Sequence, residues 1–91
     1  MISLQQKVSI SPEVLSQEVD GETVLLDLQS ESYFGLDEVG TRIWQLLSDG
    51  SSLQAVFDIL LEEYEVDEKQ LEQDMQGHVA QLVEAGLISL T

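Results

Sequence analysis

The sequence predicts an α+β fold, a three-stranded antiparallel meander followed by three helices. Three observations predict it. Asp20-Gly21 separates two strand-like runs, the apolar spacing lengthens from alternation to a helical period at Asp37, and two more helix-start signatures follow at Ser51 and Asp67. With 91 residues, 43% of them hydrophobic, the chain can build one small core, so residues 1–91 are expected to form a single domain.

Asp-Gly is the dipeptide that supplies positive φ at both central positions of a two-residue hairpin turn. Strands are therefore expected at about residues 13 to 19 and 22 to 28. In the second, Val24, Leu26 and Leu28 share one face and Thr23 and Asp27 the other, the alternation of a half-buried strand. Leu25 is expected to break that pattern by sitting on the polar face. A polar turn over residues 29 to 32 leads to a short third strand, "YFGL", with Phe34 and Leu36 pointing one way and Tyr33 and Gly35 the other. The last strand of a meander lies at a sheet edge, where one row of backbone N–H and C=O groups is unpaired.

From Asp37 the apolar residues Val39, Ile43, Leu46 and Leu47 follow helical spacing, with Asp37 as N-cap and Asp49-Gly50 as the stop. The first helix is expected at about residues 38 to 48. Ser51 with Gln54 forms a capping-box pattern ahead of the stripe Leu53, Val56, Phe57, Leu60 and Tyr64. Asp67 with Gln70 opens the longest helix, which carries Leu71, Met75, His78, Val79, Leu82 and Val83 until Gly86 closes it. The tail "LISLT" is expected to extend briefly against the body. Pro12 lies before the hairpin, and Trp44 is expected in the core.

Composition narrows the chemistry. There is no cysteine, which removes disulfides and thiolate metal sites. Eighteen acidic against three basic residues give a formal charge of −15, which repels phosphate backbones and makes nucleic acid an unexpected partner. The start "MISLQQKVSISPEV" lacks the charged n-region and apolar run of a signal peptide, and no segment is long and apolar enough to span a membrane. A soluble, cytoplasmic protein without membrane partner is expected. The acids concentrate at Asp58, Glu62, Glu63, Glu65, Asp67, Glu68, Glu72 and Asp74, opposed only by Lys69. They read as a solvated helical face or as a surface that attracts a basic partner.

An enzyme would need a nucleophile with its base, a metal site or a cofactor loop. His78 is the only histidine, and its place in a helical stripe suits packing or groove lining. No glycine pattern matches a phosphate-cradling loop, and no calcium-loop spacing occurs. Neither catalysis, cofactor nor metal is expected. "DGSSL" at residues 49–53 is similar to the serine neighbourhood of acyl and peptidyl carrier proteins, and a carrier is the alternative from a different class. There the aspartate directly precedes the modified serine, and a helix rather than a meander comes first. Ser51 and Ser52 are more simply caps.

"YFGLDEVGTRIW" together with "LLEEYEVDEKQLEQDM", after Asp20-Gly21 and an apolar strand, resembles the PqqD-like family of peptide chaperones, the RiPP precursor recognition elements. The resemblance covers about residues 14 to 88 and implies a winged helix-turn-helix-like fold. It also implies a non-catalytic protein that binds the leader of a ribosomally made precursor peptide and presents it to a maturation enzyme. In that family the leader adds a strand to the edge of the third strand and lies against the third helix. Carried over by position, the strand side is Glu31, Ser32, Tyr33, Phe34, Gly35 and Leu36, and the helix side is Leu71, Asp74, Met75 and His78. The wording looks closer to the discrete leader-binding proteins of split lasso-peptide systems, whose partners are a leader peptidase and a cyclase. The alternative within the family is the chaperone of pyrroloquinoline quinone assembly. Gly35 either lets the peptide approach closely or relieves crowding beside the first helix.

Overall fold

The computed structural model describes residues 3–91. Its elements run β1 (Val8–Ile10), β2 (Val14–Val19), β3 (Glu22–Asp27), β4 (Ser32–Leu36), α1 (Glu38–Ser48), α2 (Leu53–Glu63), α3 (Glu68–Glu84) and β5 (Ile88–Leu90). Strands β2, β3 and β4 form the expected antiparallel meander, with β4 at one edge and β2 at the other. The predicted turn has the predicted backbone: φ is +52° at Asp20 and +82° at Gly21. The tail does extend, and it pairs as β5 with β1 in a second, two-stranded sheet, Ile10 opposite Ile88 and Val8 opposite Leu90. Strand β1 was not expected.

The helices follow their end signals. Asp37 Oδ1 accepts the Gly40 N–H at 2.7 Å, and Asp67 accepts that of Gln70 at 3.3 Å. At the C-terminal ends Gly50 (φ +90°) and Gly86 (φ +77°) take the left-handed conformation. The N–H groups of Ser51 and Leu87 then reach back to Leu46 and Leu82 carbonyls, which satisfies oxygens that the last helical turn leaves over.

The start of α2 differs from expectation. Ser52, not Ser51, is the N-cap, its hydroxyl accepting the Ala55 N–H at 3.1 Å, while the Gln54 amide turns along the helix to Asp58. The Schellman-type stop of α1 uses the Ser51 N–H, so the first free position for a cap is one residue later. Ser52→Ala is expected to destabilise the chain by about 1 kcal/mol and Ser51→Ala by only a few tenths, read as the shift in urea midpoint.

The meander packs on the helices with the opposite face from the one expected. Leu25 is wholly buried and Thr23 and Asp27 nearly so, while Val24 and Leu28 are exposed. The buried Asp27 is tolerated because its carboxylate accepts the Gln29 N–H at 3.0 Å and the Ser30 hydroxyl at 2.9 Å, closing the β3–β4 turn. Leu25 meets Leu36, Ile43, Trp44, Leu53, Phe57, Leu60, Met75, Leu82 and Ile88 in one continuous core. Trp44 is in that core, as expected. Arg42 ties α1 to the end of α2 through a two-pronged bond to Glu63, 2.9 and 2.6 Å, which holds the Glu63 carboxyl below its ordinary range.

Candidate functional site

The edge of β4 can be read from the ladder. A two-residue hairpin makes its flanking residues, Val19 and Glu22, a hydrogen-bonded pair, and such pairs alternate along an antiparallel ladder. The Leu28 N–H bond to the Glu13 carbonyl at 2.8 Å keeps that phase. Glu22, Val24 and Leu26 therefore direct their backbone groups to β2, and Thr23, Leu25 and Asp27 direct theirs to β4. Their partners Leu36, Phe34 and Ser32 are used up. What faces outward from β4 is the N–H and C=O of Tyr33 and Gly35.

Side chains on β4 divide as expected. Phe34 lies opposite Leu25 and Leu36 opposite Thr23 on the inner face, and Tyr33 and Gly35 lie opposite Leu26 and Val24 on the outer face. Leu36 is buried and Phe34 half-buried, whereas Tyr33 is 75% exposed. Among the described residues nothing lies within 4 Å of where a Gly35 Cβ would be, so crowding beside α1 does not account for that glycine. Glu31, with φ +58°, and Ser32 are exposed at the turn into the strand.

At the C-terminal end of β4 a cavity of about 230 Å³ opens between α1 and α3. It is lined by Asp37, Val39, Gly40, Ile43, Asp74, Met75 and His78. Three of the four expected helix residues thus come together. The fourth, Leu71, is buried in the core away from this cavity. The α1 side of the lining was not expected. Gly40 is what lets the two helices close on each other: a Cβ there would stand 3.0 Å from His78 Cε1 and 3.2 Å from Asp37 Oδ1. A glycine inside an amphipathic helix, which costs about 1 kcal/mol relative to alanine, was the available signal.

His78 is half-buried, and its Nε2 is shielded from solvent without a hydrogen-bond partner among the described residues. Burial pulls its pKa below the ordinary 6.5, with the nearby Asp37 charge opposing. In the window between the lowered folded pKa and 6.5 the unfolded chain binds the extra proton, so the stability from neutral His78 is complete above 6.5 and is lost as the pH falls through the folded pKa. The urea midpoint of the parent chain should accordingly drop more between about pH 7 and pH 5 than that of His78→Gln, which has no such proton to take up.

The far side of the sheet carries a second apolar surface. Leu15, Val19, Val24, Leu28 and Tyr33 are all exposed there, around a depression of about 440 Å³ lined by Leu15, Ser16, Gln17, Val24, Leu26 and Tyr33. The three-residue row Leu15–Leu26–Tyr33 crosses all three strands. Among the described residues no helix is long and apolar enough to cross a membrane.

The comparisons bear on the family and the fold. The family described as "Coenzyme PQQ synthesis protein D (PqqD)" matches residues 22–88. No curated protein matches the chain. One similar solved structure is "TbiB1 in Complex with the TbiA(beta) Leader Peptide", 41% identical over 88% of this chain and 93% of that one, with a TM-score of 0.85. Another is "Lasso peptide synthetase B1 complexed with the leader peptide", 34% identical over 91% of this chain and 98% of that one, with a TM-score of 0.82. The carrier alternative loses its basis, since a meander precedes the helices and the matches are to the PqqD family and to leader-bound proteins. With two thirds of its length and more inside the family match, and with the meander and three helices in place, the chain belongs to the PqqD family of RiPP recognition elements.

Proposed function

We propose that this chain is a single-domain, non-catalytic peptide chaperone of the cytoplasm that binds the leader of a precursor peptide as a fourth strand on β4. The observation that carries this reading is the open row of Tyr33 and Gly35 backbone groups beside the α1–α3 cavity. An added strand gains main-chain bonds along that row that depend little on sequence, and alternate side chains enter the cavity for selectivity. On the strand side the contacts are Glu31, Ser32, Tyr33, Phe34, Gly35 and Leu36. On the helix side they are Asp74, Met75 and His78, while Leu71, buried in the core, does not line the cavity. Each main-chain bond contributes roughly 1 kcal/mol net, so a few of them plus one or two apolar anchors reach sub-micromolar affinity after ordering costs.

The bound peptide is then presented to a maturation enzyme, for which the leader peptidase and cyclase of a lasso-type system are favoured. Support comes from the similarity to two leader-bound proteins, one described as a lasso peptide synthetase component. The apolar far side of the sheet stays open when a strand adds at β4, and it is the surface offered to that enzyme. The radical-enzyme partner of pyrroloquinoline quinone assembly is the other candidate within the family.

Fluorescence anisotropy with a labelled leader peptide, from a short precursor gene sought beside the gene for this chain, tests the reading. Saturable binding with a sub-micromolar dissociation constant is expected. Absence of saturable binding would remove the proposal.

A further inference from the structure

A buried ring nitrogen without a partner is destabilising, and such an atom in a folded protein calls for a physical explanation. His78 Nε2 is one, shielded from solvent and unpartnered among the described residues on the wall of the α1–α3 cavity. The adjacent carboxylate does not complete it: Asp37 caps α1 by accepting the Gly40 N–H at 2.7 Å and makes no hydrogen bond to the ring nitrogen. Gly40 itself offers no side chain, and its bare Cα is what allows the ring to lie so near, with Nε2 3.3 Å from where a Cβ would be. The rest of the wall is apolar, from Val39, Ile43 and Met75, apart from the Asp74 carboxylate.

We propose that His78 is a selectivity-determining residue for the bound leader: its Nε2 exchanges one hydrogen bond with a hydroxyl or carboxamide side chain that the added strand directs into the cavity. The inference rests on the strand-addition reading. A neutral group is required by the surroundings. Asp37 and Asp74 repel an anion, and a cation would be drawn to those carboxylates in preference to the ring nitrogen. Hydroxyls and carboxamides both donate and accept, so they match whichever tautomer the ring holds. The ring reaches the occupant by turning about χ2, a soft torsion for imidazole, because Nε2 is shielded in this structure. An apolar leader residue would fit the walls but leave Nε2 buried and unpaired, so the cleft discriminates against it.

Two readouts on the full chain, with the leader peptide identified by the anisotropy assay as probe, test this. Long-range proton–nitrogen NMR of the ring should show the His78 Nε2 resonance moving on saturation with the peptide. His78→Leu should weaken binding about five- to tenfold, with His78→Gln recovering part of it. Replacing the cavity-facing leader residue by an apolar isostere should cost the parent chain a similar factor and cost His78→Leu nothing further, the non-additivity of a direct contact. Leader binding with an unmoved Nε2 resonance overturns this inference while leaving strand addition standing. So does a leader whose cavity-facing residue is apolar. No leader binding by the parent chain overturns both. The NMR arm uses the parent chain and decides the matter even if His78→Leu does not fold.

Discussion

Gly35→Pro is expected to weaken leader binding by about tenfold or more while the chain stays folded. Gly35 contributes one of the two outward N–H groups of β4, so proline deletes a donor that the added strand would use and none that β3 uses. Proline is tolerated on an edge strand in that phase, and the preceding Phe34 is already extended, the conformation a residue before proline prefers. Among the described residues no atom lies within 4 Å of the new Cβ. Gly35→Ala, which keeps the N–H, should bind within about twofold of the parent chain and separates the donor from the side chain. Circular dichroism confirms the fold, and anisotropy with the leader reads the affinity. Unchanged binding by folded Gly35→Pro would exclude this N–H from the interface.

The second large effect concerns stability. Leu25→Ala is expected to cost about 2–5 kcal/mol in urea denaturation, because a wholly buried side chain leaves a cavity among core residues. Val24→Ala, one residue away and facing solvent, is expected to change stability by about 0.5 kcal/mol or less. A domain of this size holds only about 5–15 kcal/mol in all, so Leu25→Ala removes a large share of it. Equal costs at the two positions would mean that the sheet does not pack as described.

That pair also marks where the sequence was ambiguous. Strand β3 carries apolar side chains on both faces, Leu25 on one and Val24 and Leu26 on the other, so alternation establishes a strand without saying which face meets the helices. The larger apolar set turned outward, and burial went to the face with Leu25, Thr23 and a carboxylate satisfied by its own turn. Helices were more legible because their end signals are local chemistry: Asp37, Asp67, Gly50 and Gly86 each act as expected. Strand β1 has no such signal. Its three residues are a strand only because β5, from the other end of the chain, lies beside them.

The candidate site divides the same way. An exposed β4 edge follows from meander order alone, whereas Asp74, Met75 and His78 were singled out on α3 by the family resemblance and do line the cavity. The α1 side of the cavity, Asp37, Val39, Gly40 and Ile43, depends on how the two helices approach, which spacing within one helix does not specify. Leu71 and Met75 share the α3 stripe and are both buried in the core, but of the two Met75 also lines the cavity.

Amide hydrogen exchange on the chain with and without saturating leader tests strand addition most directly. The two edges of the meander differ in which amides are open: Tyr33 and Gly35 on β4, and by the same alternation Ser16 and Glu18 on β2. The account predicts that the leader slows exchange at Tyr33 and Gly35, with Phe34 already protected and Ser16 and Glu18 unchanged. Protection appearing at Ser16 and Glu18 instead, or a saturated complex in which Tyr33 and Gly35 exchange as fast as before, would contradict it.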